Sequence, residues 1–464
     1  MKNIIKKLGV FCAALIFTTG CDDQLDIPPI GFLSDENTFE TIENLQQGLN
    51  GAYGNLTSRF NITFDIITDE VKPGADNGGQ FINFYNFNLN NQSGEATNHW
   101  TNNYAIINQV NRVLEGAELL DVDAADQAEY NNILGQLYAL RAYSHFQLLT
   151  WFSTDYTDGN SLAVPYVDFV VTIEELPRNT VSEVVTGINA DIALAQSLLS
   201  NANSNILMNK DFITAMEARM NLYLENFSVA QSNAQELIDK YSLATRAQYE
   251  AMYADSDDTE VIFKVKRVTG DFPIGAVWYF TGSAGPFLEM SNGLYDALDP
   301  TDIRYNVNFW EEESDPANNS HLIGKYLGPG FLNDLKVFRV SEMYLIKAET
   351  QARNNQLAEA ATTLKELRDA RFGTDTVLEV FTSVNDALLT ILDERRIELA
   401  YEGHRYLDIK RLRNVLSIGI SRDVRDCPTG NCDLPASDFR FNLPIPLAEL
   451  NANDNMVQNP GYGS

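Results

Sequence analysis

Histidine and cysteine are scarce in this chain of 464 residues, which has four of each. The histidines, His99, His145, His321 and His404, stand singly, so the sequence lacks the His-Glu-x-x-His pair of zinc hydrolases. It also lacks the Gly-x-Ser-x-Gly elbow of serine hydrolases and the Walker loop that binds phosphates. We therefore predict no catalytic residues, no metal site and no cofactor, with calcium at an acidic loop as the alternative.

Basic residues are also in short supply. The chain has 33 Lys and Arg against 64 Asp and Glu, for a formal charge of −31. Such an acidic surface repels nucleic acid and offers no basic patch for phosphate groups, so we predict no nucleic-acid partner. Past residue 17 no stretch is long and apolar enough to span a bilayer, which predicts a body that is held at a membrane without crossing it.

The N-terminus has the order of an export signal. Lys2, Lys6 and Lys7 precede a short apolar run over residues 8–17, and small residues then lead to Cys21. This segment resembles a bacterial lipoprotein signal peptide, which implies cleavage before Cys21 and acyl chains, palmitate among them, on that residue. We predict a signal peptide over residues 1–20 and a lipid-anchored tether over 21–35. The alternative is an ordinary secretory signal with an incidental cysteine.

Two further cysteines lie near the C-terminus. Cys427 and Cys432 flank a Pro-Thr-Gly-Asn turn, and in an oxidising compartment two such cysteines can close a small disulfide loop. A redox or zinc role is the weaker alternative, because a zinc site requires four ligands.

Helical periodicity runs through most of the chain. It predicts helices over residues 36–56, 100–120, 125–151, 181–199, 212–225, 229–241, 340–353, 357–371 and 384–401. Between the two blocks, over residues 242–336, glycine, proline and aromatic residues replace this pattern, and residues 260–266 read as a strand. The pattern predicts a mostly α-helical protein with a loop-rich, partly β middle part.

Two helical pairs look alike. In residues 218–230 and 348–360 a helix with small residues meets a short turn that contains asparagine, and a second helix then begins near an alanine. Small residues allow two antiparallel helices to approach closely, as they do in tetratricopeptide repeats. We predict a scaffold of tetratricopeptide-like helical pairs.

Several motifs together resemble the SusD/RagB family of surface nutrient-binding lipoproteins. They include the tether after Cys21, the segment from Trp100 to Asn111, and the pattern R-x4-Y-x3-A-E that starts at Arg339. Residues 394–411 are similar to the family's block E-R-R-x-E-L-x-x-E-G-x-R-x-x-D-x-x-R, and residues 443–446 and 458–462 to its C-terminal end. The resemblance extends from the lipid anchor to the last residues.

The resemblance implies one SusD-like domain over residues 36–464, with an N-terminal helical block (36–241), a ligand-facing part (242–336) and a C-terminal block with a tail (337–464). It implies a lipid-anchored protein on the outer membrane, facing the cell exterior, that acts as the lid of a SusC-like TonB-dependent transporter. The helical scaffold would face the transporter, and the loop-rich face would hold a glycan. A peptide ligand, as RagB-like members suggest, is the first alternative, and a helical-repeat scaffold without a small ligand is the second.

Paired carboxylates in the block 394–411 raise the question of catalysis. Glu394, Glu398 and Glu402 recur every four residues, which predicts one shared helix face with arginines close by. A general acid needs a raised pKa, whereas arginines keep a carboxylate ionised. We interpret the block as a structural lattice of salt bridges.

A sugar-binding site needs flat aromatic faces, together with amide and carboxylate groups for hydroxyls. Our candidates lie in segments outside the regular helices or near the family's N-terminal part of the site. They are Trp278, Tyr279, Phe280, Tyr85, Trp100, Asn103 and Trp310. Packing in the core is the alternative for each of them, and it is favoured for Trp100, which shares a helix face with Tyr104 and Asn108.

Overall fold

The computed structural model describes residues 38–56, 59–200, 203–279, 286–315, 317, 320–427 and 431–463. The predicted signal peptide, the tether with Cys21, and Phe280 lie outside these residues. The α-helices of the described part are α1 (Ile42–Gly54), α2 (Arg59–Thr63), α3 (Ile82–Tyr85), α4 (Gly94–Ala117), α5 (Gln127–Phe152), α6 (Val181–Leu198), α7 (Lys210–Tyr223), α8 (Phe227–Ile238), α9 (Arg246–Tyr253), α10 (Asn292–Tyr295), α11 (Ile303–Asn308), α12 (Val340–Arg353), α13 (Leu357–Phe372), α14 (Val384–Glu398), α15 (Arg405–Leu416) and α16 (Leu447–Ala452).

The strands of the described part are short and form three separate antiparallel pairs. β1 (Val71–Pro73) pairs with β3 (Leu288–Met290), β2 (Val261–Val265) with β4 (Leu335–Arg339), and β5 (Ile420–Ser421) with β6 (Asp433–Leu434). Each sheet joins segments that are separated in the sequence. The protein is therefore mostly α-helical, with a loop-rich, partly β middle part, as the periodicity predicts.

All nine predicted helices are present, and the strand predicted over residues 260–266 is β2. Helix α1 begins at Ile42, six residues after the predicted start, because Thr41 caps it and accepts a hydrogen bond from the backbone N–H of Asn44. Of the helices that we did not predict, α15 has 12 residues, and the others, α9 among them, have eight or fewer. A capping box at Thr245 and Gln248 marks the start of α9 and is visible in the sequence.

The two helical pairs that look alike in the sequence share one turn. Glu225, after α7, and Asn355, after α12, both adopt left-handed backbone with φ near 60°. In each turn the following N–H reaches back five residues, from Asn226 to the carbonyl of Asn221 and from Gln356 to that of Gln351, both at 2.8 Å. The pairs α7–α8 and α12–α13 are therefore equivalent units, which confirms the tetratricopeptide-like scaffold.

Small residues bring these pairs together. Ala230 and Ala234 of α8 and Ala348 of α12 are completely buried where α8 lies against α7 and α12. A buried salt bridge of 2.6 Å between Arg219 of α7 and Glu342 of α12 crosses the same junction. The two helical blocks are thus joined along α12, whose other buried side chains pack with α13 and α14 in a second apolar cluster.

Glu398 is the centre of a buried network of charges. Its carboxylate accepts hydrogen bonds from Arg339 Nη1 at 2.8 Å and from Arg371 Nε and Nη2 at 2.9 and 2.8 Å, and it lies 3.3 Å from Arg304 Nη1. Burial alone would raise the pKa of Glu398, but the arginines hold it well below its usual range. We call the following set the charged core: Glu260, Arg304, Lys325, Arg339, Arg371, Glu394, Glu398 and Glu402.

The interpretation of Glu394, Glu398 and Glu402 as structural carboxylates agrees with these contacts, but their predicted geometry was wrong in one respect. Helix α14 ends at Glu398, so Glu402 lies in the following turn and does not share the helix face. This turn needs left-handed backbone at Tyr401 and Gly403, and a side chain at position 403 would collide with the backbone of Asn61.

The partners of these carboxylates also come from elsewhere in the chain. The main ones, Arg304, Arg339 and Arg371, lie outside the block 394–411. Within the block, Arg395 pairs instead with Asp408 at 2.8 Å, and Arg405 pairs with Asp69 at 2.8 Å. Sequence spacing on one helix identifies the carboxylates but not the arginines that neutralise them.

We expect Glu70 to lower the stability of the protein as the pH rises above about 5. Glu70 is buried, and burial together with the negative charge of Asp69 raises its pKa to about 8. The folded state then holds a proton that the unfolded chain releases above its ordinary pKa of 4.5, so raising the pH favours unfolding, by up to ~1.4 kcal/mol per pH unit. Urea unfolding of the wild type and of a variant without this carboxyl group, between pH 5 and pH 9, isolates the contribution of Glu70.

The matched control for this prediction is Glu70→Gln, which keeps the shape and cannot ionise. Between pH 5 and pH 8 the unfolding free energy of the wild type should fall relative to that of this variant. Equal slopes in the two proteins would contradict the assignment to Glu70. On the acid side both proteins should lose stability, because Arg339 and Lys325 outweigh burial and lower the pKa of Glu402 to about 2.

Candidate ligand-binding site

The floor of the candidate site is the β1–β3 strand pair. Lys72 lies directly opposite Glu289 in this pair, and their charged groups are 3.7 Å apart. Opposite charges in such cross-strand positions stabilise the pairing. Lys72 also donates a hydrogen bond to Ser320 Oγ at 2.8 Å, which ties a third segment to the two strands.

Glu289 holds the loops around this floor in place. Its carboxylate accepts hydrogen bonds from the backbone N–H of His321 at 3.2 Å and from that of Ala75 at 3.4 Å. The side chain is almost fully buried, so its charge is compensated by Lys72 and by these donors rather than by solvent. Glu289 thereby fixes where the loop containing His321 stands above the strands.

A pair of stacked rings rises from this floor. The rings of Tyr295 and His321 are 3.8 Å apart between centroids and only 16° from parallel, and Phe309 packs its edge on Tyr295 at 5.0 Å. Both stacked rings are half-buried, so part of their surface faces solvent. Burial and then the positive charge of Lys72 lower the pKa of His321 to about 4, so the stack is uncharged at neutral pH.

Charged groups frame the stack. Asp296, next to Tyr295, forms a salt bridge with Arg425, and Arg425 also pairs with Asp423 at 2.7 Å. Both Asp296 and Arg425 are about half exposed, so they can still exchange partners with a ligand. We call the following set the Tyr295 platform: Lys72, Glu289, Tyr295, Asp296, His321 and Arg425.

Tyr85 supports residues 423–426, which we call the rim of this platform. Its hydroxyl donates to the carbonyl of Asp426 at 2.8 Å, and the guanidinium of Arg422 lies 3.7 Å from its ring centre. The carboxylate of Asp426 in turn accepts a hydrogen bond of 3.0 Å from the backbone N–H of Asn292, at the start of α10. Tyr85 is buried, so it positions the rim and offers no face to a ligand.

The sulfur atoms of Cys427 and Cys432 are bonded in the structure, as the disulfide prediction expects. The closed loop follows Arg425 and Asp426 directly. It joins the end of the rim to β6, and so constrains the segment that carries Arg425.

Comparison with known proteins shows which family shares this architecture. Residues 330–462 match the sequence model of the SusD family, and residues 33–224 match a model described as starch-binding, associating with the outer membrane. The two matches lie at opposite ends of the chain and leave the middle part between them. This chain belongs to the SusD family.

Full-length relatives support the assignment. The chain is 26% identical to SusD-like protein P2 of Formosa agariphila, over 97% of this chain and 99% of the relative. Among solved structures it is similar to a putative sugar-binding protein from Bacteroides vulgatus, with a TM-score of 0.77 and 25% identity over 92% of this chain and 100% of that one. A laminarin-binding SusD-like protein shares the fold, with a TM-score of 0.70 and 20% identity over 91% of this chain and 100% of that one.

Within the described residues of this SusD-like chain, no helix has the length and apolarity that crossing a bilayer requires. The same residues contain no group of three or more histidine, cysteine or acidic side chains placed to hold a metal ion.

Trp278, our first candidate for stacking on a sugar, is completely buried in this SusD-like fold. Its ring packs edge-on against Tyr401 at 5.5 Å, beside the turn that carries Glu402. A stacking role for Trp278 does not fit this arrangement, because neither face of the ring is open. Tyr279 is also buried, and its hydroxyl donates to the carbonyl of Ile323 at 2.5 Å.

Trp310 is half-buried and stays a candidate. Its ring lies edge-on to Tyr279 at 6.2 Å, and Tyr279 stacks on the half-buried Phe331 at 5.2 Å. The backbone N–H of Trp310 donates to the carbonyl of Leu322, the residue after His321, at 2.9 Å. Trp310 therefore belongs to the same loop layer as the Tyr295 platform.

Trp100 and Asn103 lie in a different region, on α4. Trp100 and Tyr104 line an apolar groove of about 230 Å³, with ring centres 4.9 Å apart, and Trp100 Nε1 donates to Glu449 at 3.4 Å. Asn103 is buried and donates to the carbonyl of His99 in its own helix. We call this second region the Trp100 groove.

A cavity of about 930 Å³ lies on the helical scaffold between α7, the end of α8 and β2. Most of the residues that line it have polar side chains, and Tyr241 donates there to Asp211 at 3.0 Å. No residue that we predicted for ligand binding lines it. Substitutions in this cavity are therefore suitable controls for substitutions in the platform.

Most platform residues could not be identified from the sequence. Lys72, Glu289, Tyr295, Asp296 and Arg425 stand in segments without a motif, and they meet only through the β1–β3 pairing and the rim. His321 was noted as a single histidine, for which a packed or surface position is the ordinary expectation. The sequence contains one weak signal for this site, which is a charged residue in each of two short segments that could form strands.

Proposed function

We propose that this SusD-like chain is a cell-surface lipoprotein that binds a glycan and acts as the lid of a SusC-like TonB-dependent transporter during nutrient uptake. The observation that carries the proposal is the half-buried, uncharged Tyr295–His321 stack on the loop-rich layer of a SusD-like fold. It is framed by charged groups that can bond to hydroxyls. Starch binding in the description of the matched family supports the glycan as ligand class.

The platform offers both kinds of contact that a sugar needs. The edges and open faces of Tyr295 and His321 suit the apolar side of a pyranose ring. Lys72, Asp296 and Arg425 can donate to or accept from its hydroxyls, and Trp310 extends the aromatic surface of the layer. In this proposal the loop layer binds the ligand, and the helical scaffold supports the loop layer.

No step of this proposal requires catalysis. The SusD family is a family of binding proteins, and the carboxylates of the charged core are buried and paired with arginines. A carboxylate with a lowered pKa is a poor general acid. We therefore propose capture and delivery of an unmodified ligand.

The lid role depends on the N-terminal segment. In this proposal residues 1–20 direct export, Cys21 carries the lipid, and the following tether is the hinge that holds the protein over the transporter at the cell exterior. Anchoring through acyl chains is compatible with the lack of a spanning helix among the described residues.

The test is calorimetric binding of the chain from residue 22 onward to laminarin, starch, other oligosaccharides and peptides. We expect one glycan to bind, and Tyr295→Ala to weaken that binding by about tenfold or more, which is ~1.4 kcal/mol. Tyr241→Ala in the large cavity and Tyr104→Ala in the Trp100 groove are the matched controls. Thermal unfolding of each variant checks that it is folded.

The possible outcomes distinguish an error in the proposed function from an error in the proposed site. Loss of binding in Tyr104→Ala alone would keep glycan capture and move the site to the Trp100 groove. Binding of peptides without any glycan would favour the RagB-like alternative. A lack of binding to every glycan and peptide tested would contradict the glycan proposal.

A further inference from the structure

The connection between α13 and α14 exposes an unusual apolar segment. Residues 375–381 form no helix, strand, turn or bend. The side chains of Val377 and Val380 are 86% and 85% exposed, and Leu378 is exposed as well. Valine is a residue that favours strands, so the composition of this segment suits pairing with another strand.

The backbone of this segment has no protein partner. In the described part of the chain, no backbone N–H or C=O group of residues 377–381 forms a hydrogen bond with another residue. A row of free donors and acceptors is open to pairing with the backbone of another segment, as at the edge of a sheet. Natural edges are commonly guarded by lysine, proline or a bulge, and residues 375–381 contain neither lysine nor proline.

The segment is nevertheless held in place at both ends. Thr376 donates through its backbone N–H and its hydroxyl to Asp369, both at 2.7 Å. Thr382 donates in the same way to Asp386, at 2.8 and 2.9 Å. Since its ends are fixed, the segment loses little conformational freedom when a partner binds.

The charges beside the segment define what fits it. Asp375 pairs with Lys365, but the carboxylate is 92% exposed and the lysine only 21%. Glu379 pairs in the same way with Arg368, and again the acid is the more exposed partner. The edge therefore presents apolar side chains flanked by negative charge, which is complementary to an apolar strand flanked by lysine or arginine.

We propose that residues 377–381 form an edge strand by which this protein pairs with an extended, apolar segment with basic flanks on the extracellular side of its transporter. The backbone groups provide the affinity of strand addition, and Val377, Leu378 and Val380 provide the contact surface. This inference rests on the proposed lid function and adds to it a defined contact on the helical scaffold, away from the Tyr295 platform.

The test compares two double variants for binding to the purified SusC-like transporter in detergent, with the full lipidated chain. Val377→Asp with Val380→Asp should weaken the complex at least tenfold. Val268→Asp with Val457→Asp adds the same charge at two other exposed valines, and should leave the complex unchanged. Val380→Pro, which removes one backbone N–H, should weaken binding without adding charge.

Hydrogen exchange of the complex gives a second reading of the same contact. The amides of residues 377–381 should exchange fast in the free chain and become protected when the transporter binds. Transporter binding that is equally tight in both double variants would overturn the proposed edge and leave the lid function intact. Wild-type protein that fails to bind the transporter would overturn both. The free chain could instead form a dimer that the Val377 and Val380 substitutions disrupt. That result would assign the segment to contact with a second copy and overturn the proposal.

Discussion

Glu398→Ala is expected to destabilise the protein by about 3–5 kcal/mol, which is a large part of the stability of an ordinary domain. The substitution removes the shared partner of Arg304, Arg339 and Arg371. All three arginines are buried, so their charges would be compensated neither by solvent nor by a full set of carboxylates. An unpaired buried charge is among the strongest destabilising changes known from mutational studies.

Urea unfolding followed by circular dichroism measures this loss. Glu366→Ala is the matched control, because Glu366 is an exposed glutamate on α13, the helix that carries Arg371. Its effect should stay within about 0.5 kcal/mol. A loss below about 1 kcal/mol for Glu398→Ala would mean that the arginines find other partners, and the charged core would then be less important than its geometry indicates.

Cys21→Ser is expected to abolish membrane attachment almost completely. Two or more acyl chains give stable anchoring, since each buried CH2 contributes about 0.8 kcal/mol. Serine cannot carry the thioether-linked lipid, and it removes the residue before which the signal is cleaved. Fractionation of cells that express tagged protein should move the chain out of the outer-membrane fraction.

Cys12→Ser is the control, because this residue lies in the apolar part of the predicted signal and takes no lipid in our interpretation. It should leave the protein in the outer membrane. If Cys21→Ser stays with the membranes after a carbonate wash, the protein is held there by something other than lipid, and the export signal was misinterpreted.

The helices were predictable because their side chains repeat every three to four residues. Helix α12 has the bounds Val340–Arg353, as predicted, and the turn at Asn355 follows from the need for left-handed backbone after it. The middle part has no such repeat, so only β2 was visible there. The short elements that build the platform depend on contacts between distant segments, and local sequence does not encode them.

The aromatic candidates show the same limit. Trp278 stands in a run bounded by glycines, which suggests an exposed loop, yet its ring is completely buried against Tyr401. Tyr295 ends a helix of four residues and has no aromatic neighbour in sequence. Its partner His321 joins it only because Glu289 and Lys72 hold the second loop in place.

The distances along the chain between platform residues have a consequence for biogenesis. Lys72 must meet Ser320, 248 positions later, and the support of the rim links Tyr85 to Asp426, 341 positions away. Contacts of such long range form late in folding. A ribosome or an export channel therefore releases most of the polypeptide before any binding surface exists. If the protein has the proposed function, its platform is complete only after the C-terminal residues have been exported, and a prematurely terminated chain would be unable to bind its ligand.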